Sequence, residues 1–117
     1  MIGTEPSQLD YRRALFVCSA GLHRSATGAT IGSLLGLNTR ACGTKQQALV
    51  PISANLILWA DSIYFMEQEH FNKTTNMYWS YNGLVAEIRR KAVICDIEDV
   101  YDYMQPELVE TLEKLLT

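Results

Sequence analysis

The chain has 117 residues, is 48% hydrophobic and 20% charged, and carries a net charge of −3. That is enough apolar material for a packed core and too much for a disordered tail. The acidic balance argues against a nucleic-acid surface, which needs a basic footprint. No apolar run approaches the roughly 18 residues of a membrane span.

The stretch MIGTEPSQLDYRR contains Glu5 and Asp10 and lacks the apolar centre of a signal peptide. A cytoplasmic setting is therefore expected, and residues 1–11 read as a loose lead-in to one domain spanning 1–117. The three cysteines, Cys18, Cys42 and Cys95, are widely spaced, and the two histidines lie far apart. This spacing argues against a disulfide framework or a zinc knuckle, and no metal or other cofactor is expected.

In chain order, the run 14–18 is short, apolar and followed at once by small residues, as in a central parallel strand buried on both faces. Residues 25–35 predict a helix, with Gly28, Gly32 and Gly36 spaced every four residues and Gly36 placed to end it. LNTRACGT predicts a second strand. PISANLILWA predicts a short helix with Ser53 as N-cap. DSIYFME reads as a third strand, and a short helix starts in EQEHFN. Glu67 and Glu69 are expected at its solvated start and His70 on its surface. The polar and aromatic residues 72–82 read as loop, with room for one helical turn. LVAEIRRK predicts a helix and AVICDI a fourth strand with Cys95 as inert core. IEDVYDYMQ reads as an acidic loop, and PELVETLEKLL as a closing amphipathic helix begun by Pro106.

This alternation implies an α/β three-layer sandwich: a central four-stranded parallel sheet, order 2-1-3-4, with helices on both faces. Ligands of such sheets sit beyond the C-terminal strand ends. Cys18 and the region of Asp96 both fall on that rim.

The segment VCSAGLHRSAT joins the first strand to the first helix. Residues 19–24 can curl into a nest of backbone N–H groups around an anion. The helix that follows turns its positive end toward the same point, and the planar fork of Arg24 can grip two phosphate oxygens. Such a field favours a thiolate at Cys18, which makes it a nucleophile. Ser25 can donate to the sulfur. Ser19, Ala20, Gly21, Leu22 and His23 complete the cradle, with His23 an exposed loop side chain. Ester cleavage also needs a proton donor, and Asp96, Asp99 and Asp102 are the candidates after the fourth strand. Tyr101 and Tyr103 can either wall the pocket or pack the loop onto the body.

The loop resembles the signature of cysteine-dependent tyrosine phosphatases. Its place after the first strand resembles the low-molecular-weight protein tyrosine phosphatase family. Residues 13–116 are similar to a small bacterial and phage branch of it, through RALFVCS…RSAT, ACGT, PIS..L..WAD, IYFME..H, AVICDIEDVYDYM and PELVETL. The resemblance implies a phosphomonoester hydrolase, acting on a phosphotyrosine protein or a small phosphomonoester through a cysteinyl-phosphate. Cys18 would be the nucleophile, Arg24 the phosphate clamp and Asp99 the acid. Asp99-Val100-Tyr101 stands where the family has Asp-Pro-Tyr, and Asp96 is the second candidate.

Four positions depart from the family pattern. Gly21 replaces an asparagine that braces the loop, Cys42 a serine, Ala26 a proline, and His23 a second cysteine. The changes at Gly21, Cys42 and Ala26 also fit a phosphate-binding module with little turnover. Arsenate reduction, which uses the same loop, needs a downstream cysteine relay that this chain does not arrange.

Overall fold

The computed structural model describes residues 12–117, so the lead-in expected at 1–11 lies outside the described residues. Four parallel strands, β1 (Arg13–Cys18), β2 (Asn38–Gly43), β3 (Ser62–Phe65) and β4 (Ala92–Ile94), form one sheet in the order β2-β1-β3-β4. The expected order and architecture are therefore found. Five helices connect or follow the strands: α1 (Arg24–Leu34), α2 (Ala54–Trp59), α3 (Gln68–Met77), α4 (Asn82–Lys91) and α5 (Pro106–Leu116).

The period of two in β1 explains the layers. Leu15 and Val17 point into one cluster with Cys42, Ile57, Ile63, Phe65 and Ile88, which brings α2 and α4 onto that face. Ala14, Phe16 and Cys18 point into the other with Met66, Ile97, Leu108 and Leu112, which brings α5 onto the opposite face. Both faces of β1 are thus dry, as expected for a central parallel strand. α1 lies close to β1 because Gly28 offers no side chain. A Cβ there would sit 2.5 Å from Phe16 Cδ1, whose ring stacks on Tyr64 at 4.9 Å.

Several elements end as the sequence implies. The Ser53 hydroxyl accepts the Leu56 N–H at 3.3 Å, Gly36 takes a φ of +95° just past α1, and Pro106 opens α5. Two expectations need correction. The segment 72–77 is helix, not loop, because α3 runs on through Asn72, Thr74 and Thr75 to Met77. The Thr74 and Thr75 hydroxyls donate back to the carbonyls of His70 and Phe71, at 2.8 and 3.1 Å, so these poor helix formers are satisfied within the helix. β4 is also shorter than expected, ending at Ile94. Cys95 and Ile97 still pair onward through their N–H groups with the carbonyls of Phe65 and Met66.

Gly28→Ala should destabilise the chain by about 1–3 kcal/mol, the usual cost of overpacking a tight contact. Urea denaturation should show a lower midpoint with an unchanged slope.

Candidate active site

β1 ends at Cys18, and the next five residues turn through the C-terminal edge of the sheet into α1. The carbonyls of Cys18, Ser19 and Ala20 accept N–H groups from Thr44, Lys45 and Leu49, at 2.9, 3.0 and 3.2 Å. In a trans peptide the N–H of the next residue points opposite the carbonyl. The amides of Ser19, Ala20 and Gly21 therefore turn away from the 44–49 loop. The Gly21 N–H does so visibly, donating to Cys18 Sγ at 3.1 Å. Gly21 reaches this geometry with a φ of +74°, a region costly for side-chain-bearing residues. Gly43 lets the two loops touch, since a Cβ there would lie 2.4 Å from the Ser19 carbonyl oxygen.

Cys18 Sγ also lies 3.0 Å from Ser25 Oγ, in the first turn of α1. The sulfur thus sits between an amide, a hydroxyl and the positive end of a helix. It forms part of a cavity of about 170 Å³ lined by Cys18, Ser19, Ala20, Leu22, His23, Arg24, Lys45 and Asp99.

Arg24 is almost completely buried, at 2% exposure. Its Nη1 donates to Glu67 Oε1 and to the Ile97 carbonyl, both at 2.6 Å. Nε lies 3.6 Å from Asp99 Oδ1, an ion pair longer than a hydrogen bond. Nε and Nη2 donate to no protein acceptor among the described residues, and Arg24 lines the cavity. One edge of the guanidinium is locked and the other is available to an anion.

The loop carrying Asp99 is bracketed by Asp96 and Met104, two non-glycine residues with φ of 57° and 59°. Such a conformation costs on the order of 1–2 kcal/mol per residue. Part of the compensation comes from Thr27, whose Oγ1 accepts the Met104 N–H at 2.9 Å. Asp99 reaches the cavity. Asp96 instead lines a separate depression with Glu67, Gln68, Glu69 and Glu98. Tyr101 packs against the core cluster of Phe16 and Leu108. The Tyr103 hydroxyl is 3.0 Å from Thr30 Oγ1. Neither tyrosine lines the cavity; both pack the loop onto the body.

Two expectations about α3 are corrected. His70 is not on the surface but 1% exposed, and Glu67 is not a free solvated end but the partner of Arg24. The Glu67 N–H donates to His70 Nδ1 at 3.0 Å, and the His70 N–H returns to the Glu67 carbonyl at 3.1 Å. His70 Nε2 lies 3.1 Å from Ser19 Oγ. Burial first, and then the Arg24 charge, hold the imidazole below its ordinary pKa, against the pull of Glu67, Glu69 and Asp99. Lys45 was also missed by sequence reasoning. Its signal was its position just past β2, on the same rim as Cys18. The other thiols are unreactive by environment: burial pushes Cys42 and Cys95 each up to about 12.

No protein-family model matches this chain, and no curated protein does. Solved structures do. A YwlE mutant from Bacillus subtilis superposes with a TM-score of 0.63 over 90% of this chain and 96% of its own, at 19% identity. The YwlE arginine phosphatase from Geobacillus stearothermophilus gives 0.65 over 90% of each chain at 16% identity. The tyrosine phosphatase Wzb from Escherichia coli K30, in complex with phosphate, gives 0.62 over 91% of each at 18% identity. A low-molecular-weight protein tyrosine phosphatase from Bacillus subtilis also matches, at 0.63 and 19% identity. The fold is that of the low-molecular-weight tyrosine phosphatases. At these identities the likeness is one of fold, and that fold carries the strand–loop–helix on which the cavity is built.

Two outcomes are expected. Iodoacetamide should alkylate Cys18 ahead of Cys42 and Cys95, and inorganic phosphate should protect it, as peptide mass mapping would show. Stability should also decline as pH falls below about 6.5. In that range the unfolded chain takes up a proton that buried His70 refuses, so folded chain is lost as pH drops toward the folded-state pKa. Urea midpoints at pH 7.5 and 5.5 should show the decline in the native chain and a smaller one in His70→Asn.

Proposed function

We propose that this protein is a cysteine-dependent phosphomonoester hydrolase of the protein tyrosine phosphatase type. The observation that carries the reading is one sulfur, Cys18 Sγ, held by the Gly21 N–H at 3.1 Å and by Ser25 Oγ at 3.0 Å in a cavity that Arg24 also lines. The relatives in fold include a tyrosine phosphatase and an arginine phosphatase, which supports a phosphorylated substrate.

In this reading the phosphoryl group enters the bowl. Its oxygens take the inward amides and the free edge of Arg24, a preorganised set of donors for the charge of the transition state. The Cys18 thiolate attacks phosphorus in line, the phosphorus–oxygen ester bond breaks, and Asp99 gives its proton to the leaving oxygen. A cysteinyl-phosphate remains. Asp99, now a carboxylate, takes a proton from water as that water attacks phosphorus. The thiolate departs, stabilised by Ser25 and the Gly21 amide, and inorganic phosphate is released. Lys45, exposed on the wall, adds positive charge where the dianion enters.

No redox partner thiol is poised for arsenate reduction, because burial keeps Cys42 and Cys95 protonated at neutral pH. A cytoplasmic, reducing setting suits a catalytic thiolate. Among the described residues no helix is long and apolar enough to cross a membrane.

Stopped-flow hydrolysis of p-nitrophenyl phosphate tests the reading. The native chain should release a burst of p-nitrophenol near one equivalent. Cys18→Ser should release none while still binding phosphate. Binding without turnover in the native chain would make it a phosphate-binding module instead. Asp99→Asn should lower kcat on an alkyl phosphate by about 10²-fold or more. Its effect on p-nitrophenyl phosphate should be smaller, because that leaving group departs with little need of a proton. Lys45→Glu should raise KM by about tenfold, with a smaller change in kcat, as measured from initial rates at low ionic strength.

A further inference from the structure

We propose that His70 is a positioning residue of the phosphate-binding loop, holding Ser19 through Nε2–H only while its ring is neutral. The proposal rests on the phosphatase reading above. It concerns a residue on another element, which the strand–loop–helix signature does not contain.

The tautomer follows from the hydrogen bonds. A backbone N–H can only donate, so the contact from Glu67 N to His70 Nδ1 at 3.0 Å makes Nδ1 an acceptor. The proton of the neutral ring then sits on Nε2, which donates to Ser19 Oγ at 3.1 Å. With His70 only 1% exposed, water does not compete for either contact. Glu67, three residues earlier on the same helical turn, grips Arg24 at 2.6 Å. One turn of α3 thus holds both ends of the loop, Ser19 where it leaves β1 and Arg24 where it enters α1. The loop needs such an external hold. Gly21 stands where the resembled family has a bracing asparagine, and a glycine offers no side-chain bond of its own.

Protonation would break the arrangement. An imidazolium carries donors on both nitrogens, so Nδ1 would face the Glu67 N–H donor to donor. The charged groups around the ring are Arg24 from α1, Glu67 and Glu69 from α3, and Asp99 from the loop after β4. Donor facing donor, with a second cation beside Arg24, would push the charged ring from its place and take Nε2–H away from Ser19, which a neutral side chain that merely lacks the cap would not do. The acid limb of the activity profile then contains the titration of His70 as well as that of the catalytic groups.

Two near-isosteric variants separate the functions of the two nitrogens. His70→Asn places an amide oxygen near Nδ1, keeping the Glu67 cap and losing the Ser19 bond. His70→Gln places an amide nitrogen near Nε2, keeping the Ser19 bond and losing the cap. His70→Asn should keep a near-native melting temperature and lose about tenfold in kcat/KM on p-nitrophenyl phosphate, the order of one lost hydrogen bond. Its acid limb should also simplify. His70→Gln should lose melting temperature and keep most of its activity. Ser19→Ala should match His70→Asn, and the double variant His70→Asn/Ser19→Ala should be no worse than either single one.

Equal activity of the Asn and Gln variants per folded molecule would overturn the proposal, as would multiplicative losses in the double variant. If the native chain turns over no phosphomonoester, the hydrolase reading fails on its own. Calorimetric phosphate affinities of the same variants then test the hold directly, with weaker binding expected for His70→Asn and Ser19→Ala, and equal binding overturning it.

Discussion

A guanidinium buried to 2% exposure has to be neutralised where it lies, and much of this molecule is arranged to do that for Arg24. Removing a cation from water costs several kcal/mol unless it is paired and its donors are satisfied. Glu67 and the Ile97 carbonyl answer one edge of the fork, from points 43 and 73 residues further along the chain. Asp99 stands near the third nitrogen. This demand fixes where α3 begins, how the chain leaves β4, and how far the acid-bearing loop can stray. Nε and Nη2, which donate to no protein acceptor among the described residues, inherit that rigidity, which the proposed stabilisation of a transition state requires.

The floor of the cavity and its acidic wall are built on different principles. The floor is tied by main-chain bonds from the 44–49 loop to three successive carbonyls, with Gly43 removing the side chain that would keep the loops apart. Backbone bonds of this kind survive most substitutions. The wall carrying Asp99 hangs between two residues in left-handed conformation and is anchored to α1 through Thr27 and Tyr103. In the hydrolase proposed above, a fixed floor would suit the thiolate that attacks, and an exposed wall a residue that exchanges protons with both leaving group and water.

Much of this was legible in the residues. The uninterrupted apolar run of β1 announces burial on both faces, and the spacing from Cys18 to Arg24 announces an anion cradle. Alternating strands and helices announce the parallel sheet. The path of α3 was hidden because Asn72, Thr74 and Thr75 have low helix propensity, and only the three-dimensional path shows the two threonine hydroxyls bonding back to the helix. His70 was hidden for a related reason. A lone histidine among polar neighbours has no face assigned to it until Ser19, 51 residues away, is brought alongside. Tyr101 and Tyr103 lie on the expected loop, but sequence gives their position along it and not the direction of their rings. Lys45 needed the contact between two loops, which pairing of β1 with β2 sets and no local pattern records.

The wide separation of the groups around Arg24 also bears on how the chain is made. A growing polypeptide that has presented β1, α1 and β2 already contains Cys18 and Arg24. It lacks the carboxylate and the carbonyl that make the Arg24 charge tolerable in the interior. Those arrive only with α3 and the segment after β4. Burial of Arg24 is thereby coupled to completion of the sheet, since its partners follow β3 and β4 in the chain.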